Sequence, residues 1–146
     1  MIDKSEVIDR FIRYVKIDSQ SDPESKKTPS SDIQWNIANL LKEELEGFGI
    51  KDVSIDEHAY VMAKIPGNVN EQVPAIGFIS HFDTSPDFKA TNIKPQIHEN
   101  YDGKPILLNK AKALWLSPKE FPDLDIHNCE PLFLFGGDSL LSADDN

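Results

Sequence analysis

A histidine and an aspartate two residues apart, His81 and Asp83, follow directly on the apolar run Ala75-Ile76-Gly77-Phe78-Ile79-Ser80. On an extended segment, residues two apart point to the same side. An imidazole there could ligate a metal ion while the carboxylate accepts the hydrogen bond from its other ring nitrogen. That pairing fixes the tautomer and makes the histidine a better ligand. The run before it is nearly all apolar, as expected of a central strand covered on both faces. In open α/β sheets, sites form beyond the carboxyl ends of the strands, which is where this reading puts His81. A second constellation, Asp144-Asp145, follows the apolar Leu140-Leu141-Ser142-Ala143. A carboxylate at that place could bridge two hard or borderline cations. Taken singly, H-x-D is more often a polar turn and two aspartates an acidic surface segment.

The other groups with chemistry in them are weaker candidates. His58, His98 and His127 are scattered, and each reads first as a solvated or hydrogen-bonded histidine. Cys129 is the single cysteine, so an internal disulfide is excluded, a thiolate zinc site is not expected, and a reducing cytoplasm is the default expectation. Gly136-Gly137-Asp138 reads as a turn, because no G-x-x-x-x-G-K-[ST] phosphate loop is present. Ser139 and Ser142 lack the G-x-S-x-G surroundings of a nucleophile elbow.

The elements that must position these residues can be read from periodicity. Val7, Ile8, Phe11, Ile12 and Val15 form a helical stripe within 5–16, and Asp3 followed by Glu6 fits a capping box at its start. Residues 18–31 are rich in Ser, Pro, Lys and Asp and read as a mobile loop. A second helix is predicted from Ile33, Ile37, Leu40, Leu41, Leu45 and Phe48. Ser31 and Gln34 suggest its capping box, and Gly47 and Gly49 its stop. Short strands are expected at 53–56, 60–65 and 75–80. The proline-punctuated stretch 88–131 reads as long irregular excursions, with short strands near 106–108 and 113–116. Leu132 to Phe135 and Ser139 to Ala143 read as a hairpin leading into Asp144. Helices followed by such strands indicate an α/β fold.

The 146 residues are enough for one domain with a core, and 39% apolar with 27% charged residues is the balance of a globular chain. The net charge of −10 argues against a nucleic-acid partner. No apolar run approaches the roughly 20 residues needed to span a bilayer, so no membrane partner is expected. The N-terminus shows no basic region followed by an apolar one, so a signal peptide is not expected.

Taken together the residues resemble the di-zinc metallopeptidase family that holds aminopeptidases, dipeptidases, carboxypeptidases and aminoacylases, and within it the tripeptide aminopeptidases. The resemblance runs along nearly the whole chain. It rests on the helix 7–16, the Gln34-Trp35 helix with Leu40-Leu41-Lys42-Glu43-Glu44-Leu45, and the segment Pro74 to Asp87. Asn92 to Ile97, Glu99-Asn100-Tyr101, Leu116-Ser117-Pro118 and Leu140 to Asp145 add to it. It implies a sandwich with a central mixed sheet and flanking helices, of which 1–146 would be the N-terminal portion of the catalytic, zinc-binding domain. The lid or dimerisation domain is not expected in this portion.

By the same resemblance, His81 would ligate one Zn2+, Asp83 would be the catalytic aspartate that orients it, and Asp144 would bridge two Zn2+ ions. Asp145 would follow through a cis peptide bond. The substrate would be a small peptide, cleaved with a glutamate as general base. That glutamate and the remaining ligands are expected downstream of Asn146. The family pattern continues after the paired aspartates with lysine, where this chain has Asn146, and favours glycine where Ser142 stands. A truncated, non-catalytic remnant and a related dipeptidase or carboxypeptidase are the alternative readings. A reading frame continuing past Asn146 with adjacent glutamates would favour the enzyme.

Overall fold

The computed structural model describes residues 3–70, 72–87 and 90–134. They divide into two compact units, one of residues 18–86 and the other of the residues before 18 together with those from 87 on.

The 18–86 unit is a helix on a hairpin. Its helix, α2 of the chain (Gln34–Gly47), buries Gln34, Ile37 and Ala38, and Leu41 and Leu45 continue the stripe half-buried. That i, i+3, i+4, i+7 spacing gives one apolar face, and it packs on β1 (Asp52–Ile55) and β2 (Val61–Lys64). The two strands pair antiparallel, with Val53 opposite Ala63 and Ile55 opposite Val61. Asp56 closes the turn between them, its carboxylate accepting from the backbone N–H of His58 and of Tyr60, both at 2.9 Å.

The helix stops where the glycines predict. Gly49 has φ of 82°, its N–H donates to Glu46 O (2.9 Å), and Ile50 N–H donates to Leu45 O (3.3 Å). This is a Schellman end, which needs a left-handed residue that glycine supplies without a Cβ penalty.

The predicted Ser31–Gln34 capping box does not form. Ile33 occupies the N-cap position, and its side chain makes no capping hydrogen bond. The first N–H groups are met instead by a tight turn, Gln34 N–H to Ser31 O (3.2 Å) and Trp35 N–H to Asp32 O (3.3 Å). The Gln34 side chain is engaged elsewhere, donating to Ser30 Oγ at 3.2 Å.

In the other unit, α1 (Lys4–Tyr14) starts at Asp3 as predicted, but only the Asp3 half of the capping box is made, the Glu6 carboxylate accepting from Arg10 at 2.8 Å. The Asp3 carboxylate accepts from Ser5 N–H, which with the Ser5 hydroxyl holds its pKa below the ordinary aspartate value, the hydroxyl bond being the larger cause. Ile8, Phe11 and Ile12 are half-buried and Val15 buried. β3 (Gln96–His98) pairs antiparallel with β6 (Leu132–Leu134), and β4 (Ile106–Asn109) with β5 (Leu114–Leu116). A 3₁₀ helix spans Pro122–His127. The described part of 88–131 is therefore more ordered than its prolines suggest. The partner of β6 is β3, a three-residue strand too short to show alternation. The expected hairpin partner, 139–143, lies outside the described residues.

Gly103 in this unit has φ of 76°, and a Cβ there would stand 2.7 Å from Asn128 Oδ1. Asn128 cannot move freely, since its amide donates to Asp125 O at 3.0 Å. Gly103→Ala is expected to destabilise the chain by about 1–2 kcal/mol, the usual penalty of left-handed backbone for an L-residue. The measurement is the urea midpoint; an unchanged midpoint would show that the backbone relaxes there.

The α/β composition holds, but the described strands make three two-stranded antiparallel sheets. Residues 75–80 are the main correction. They form no ladder, and Ile76, Phe78 and Ile79 are 83%, 96% and 100% exposed. A strand exists only through a neighbour's N–H and C=O groups, and no described strand lies alongside to supply them. Among the described residues no helix is long and apolar enough to cross a membrane.

Candidate metal centre

The His81–Asp83 pair is held from outside its own segment. Just downstream, Thr84 forms an isolated parallel bridge with Gln20. Thr84 N–H donates to Ser19 O (3.3 Å), and Ser21 N–H donates to Thr84 O (3.0 Å). Side chains reinforce it. Ser19 Oγ donates to Phe82 O at 2.8 Å, Gln20 Nε2 to Ser85 O at 3.0 Å, and Ser21 Oγ to Thr84 O at 3.1 Å. The loop is in turn tied to the start of α2 through Ser30, whose Oγ accepts from Asp22 N–H (3.1 Å) and from Gln34 Nε2. The beginning of the loop predicted to be mobile is thus a bonded clamp. Its only trace in the sequence is the Ser19-Gln20-Ser21 run of short polar side chains.

Within the pair, His81 Nδ1 lies 3.1 Å from Asp83 Oδ1 and 3.1 Å from Asp83 O. Both oxygens can only accept, so Nδ1 carries the hydrogen. The neutral ring then keeps its lone pair on Nε2. The His81 side chain is 61% exposed. This is the orientation predicted from the two-residue spacing, with the backbone carbonyl of Asp83 as a second acceptor that the spacing did not reveal.

The donor chemistry fits one zinc ligand: a neutral imidazole with its second nitrogen held by a carboxylate. A zinc site ordinarily takes three or four protein ligands, and the described residues assemble no group of three or more His, Cys, Asp or Glu able to hold a metal. Asp144, Asp145 and the cis bond expected between them lie outside the described residues. So does the expected strand 139–143.

The other histidines go to local partners. His58 Nδ1 lies 3.2 Å from Thr28 O, and His127 Nδ1 lies 2.8 Å from Glu130 Oε2. His98 Nε2 is buried with no hydrogen-bond partner among the described residues. Cys129 is exposed and unpaired by any disulfide.

No family model matches the chain. Among curated proteins it is similar to peptidase T of Geobacillus thermodenitrificans, 50% identical over 142 residues, covering 97% of this chain and 34% of that protein. Peptidase T of Listeria monocytogenes is 48% identical over 97% of this chain and 35% of its own length. Peptidase T of Clostridium acetobutylicum is 50% identical over 96% and 34%. Along nearly its whole length this chain is therefore homologous to the proteins named peptidase T, and it spans about a third of their length.

Proposed function

We propose that this chain is the N-terminal portion of the catalytic domain of a zinc-dependent aminopeptidase that acts in the cytoplasm and releases the N-terminal residue of tripeptides. The observation that carries the reading is the 50% identity over 97% of the chain to a peptidase T. The His81–Asp83 geometry supports it independently. His81 and Asp144 would hold zinc, with Asp83 orienting His81. When bound, zinc supplies Lewis-acid polarisation of the peptide carbonyl and acidifies water. The chain's own contribution is an imidazole with its tautomer set and its Nε2 presented to solvent. The remaining ligands and the general base come from the two thirds of the relatives that the match does not cover. Strand 75–80 would find its sheet neighbours in the same region, completing the central mixed sheet of the family's sandwich.

The test joins this chain to the uncovered two thirds of the Geobacillus thermodenitrificans relative, in place of the matched third. The hybrid is expected to release the N-terminal residue from a tripeptide, to stop on chelation and to recover with zinc. The 146-residue chain alone is expected to release nothing. Turnover that survives chelation overturns the reading. Release of a C-terminal residue, or action on dipeptides alone, assigns a related carboxypeptidase or dipeptidase instead.

A further inference from the structure

We propose that Ser19 is a positioning residue for the His81–Asp83 pair, setting through the Phe82 carbonyl the ring orientation that leaves His81 Nε2 open to a ligand. The metal part of this inference rests on the reading of His81 as a zinc ligand given above; the orientation part does not. Ser19 is the most deeply buried polar residue described, at 1% exposure. A buried hydroxyl without a partner is destabilising by about 1–3 kcal/mol, and among the described residues this one donates to Phe82 O at 2.8 Å. Phe82 is the residue between the histidine and the aspartate. Its carbonyl belongs to the peptide group that leads into Asp83, so holding that oxygen fixes the plane from which Asp83 projects.

Both acceptors of His81 Nδ1, the carboxylate and the carbonyl, belong to Asp83. If the Phe82–Asp83 peptide rotates, both move together and the ring loses the contacts that keep its hydrogen on Nδ1. The backbone bonds of Ser19 and Ser21 to Thr84 grip the residue after Asp83. The Ser19 hydroxyl grips the one before it. The aspartate is thereby fixed on both sides by one short stretch of loop, 63 positions away in sequence.

The test uses the 146-residue chain with nitrogen-15-labelled histidine. Long-range proton–nitrogen correlation spectra of the neutral imidazole report which ring nitrogen carries the hydrogen. His81 is expected in the Nδ1–H form in the unaltered chain. Ser19→Ala is expected to shift it towards the mixture of a free imidazole, Ser19→Thr to restore it by keeping a hydroxyl, and Ser54→Ala, on an exposed strand position, to leave it alone. Circular dichroism checks that α2 and the hairpin persist. Should Ser19→Ala lose them, Ser19→Cys, of similar volume but a weaker donor, takes its place for the tautomer reading alone, since its thiol could itself bind zinc.

Zinc titrated into the same samples is expected to bind up to about 10-fold more weakly to the Ser19→Ala chain. That is the low end of what removing a ligand's direct partner causes, as suits a residue acting one step further back. A folded variant in which the His81 tautomer is unchanged overturns the inference. Zinc that leaves the His81 signals of the unaltered chain untouched sinks the metal reading, while the tautomer comparison still decides the role of Ser19.

Discussion

Ile37→Ala is expected to destabilise the 18–86 unit by about 2–5 kcal/mol, the range for truncating a fully buried isoleucine. Ile37 is 4% exposed. It lies on the face of α2 that packs on the hairpin, beside the buried Ala38. Only a few other described side chains of this unit are buried, and a core this small has little with which to refill a cavity. Whole domains are stable by about 5–15 kcal/mol, so the loss is a large part of what holds the unit together. Ile76→Ala gives the contrast. Ile76 is apolar and of the same size, but 83% exposed, and its loss should change stability by no more than about 0.5 kcal/mol. Urea unfolding followed by circular dichroism gives both numbers, provided the slope m is unchanged. If Ile76→Ala proved as costly as Ile37→Ala, residues 75–80 would be covered in solution. If Ile37→Ala proved harmless, the packing of α2 on its hairpin would be wrong.

That pair of isoleucines also marks where sequence reading succeeds and where it stops. Ile37 belongs to a stripe with period 3.6, and the stripe carries its own partner information: one face buried, the other wet. The same logic placed α1, α2, β1, β2, β4 and β5 within a residue or two, and Gly49 marked the end of α2. Ile76 belongs to a continuous apolar run. Such a run states which surroundings it demands, neighbours on both edges and both faces, without saying that they are present. The Ser31–Gln34 pattern failed for a different reason. Gln34 could satisfy either a helix N-terminus or Ser30, and only the three-dimensional position of Ser30 decides between them.

The candidate site divides along the same line. His81 and Asp83 face one another because they are two residues apart, which is local and legible. The clamp from Ser19, Gln20 and Ser21 is made of side-chain bonds to main-chain atoms 63 to 65 positions away. Main-chain acceptors are alike in every residue type, so no pattern of letters near His81 could announce them.

Zinc added to the 146-residue chain is expected to bind weakly and at His81, without a stoichiometric pair surviving dialysis. The ligand count decides this. Three or four protein donors make a zinc site that holds its metal, whereas the described residues assemble no cluster of three candidate donors around His81 or anywhere else. His81→Ala should abolish the binding. Asp83→Ala should weaken it, and the structure says by how much within the usual range. Loss of a ligand's hydrogen-bonding carboxylate costs about 10–100-fold in affinity. Here the backbone carbonyl of Asp83 stays behind, 3.1 Å from Nδ1. It still accepts the Nδ1 hydrogen, so the tautomer is largely kept and what is lost is the negative charge that raises the basicity of the ring. The effect should therefore lie near 10-fold. An effect near 100-fold would mean that the carboxylate alone sets the tautomer. Isothermal titration with zinc, with metal content after dialysis as a check, measures the unaltered chain and both variants. Two tightly held zinc ions per chain that persist in His81→Ala would place the metal centre on other residues altogether.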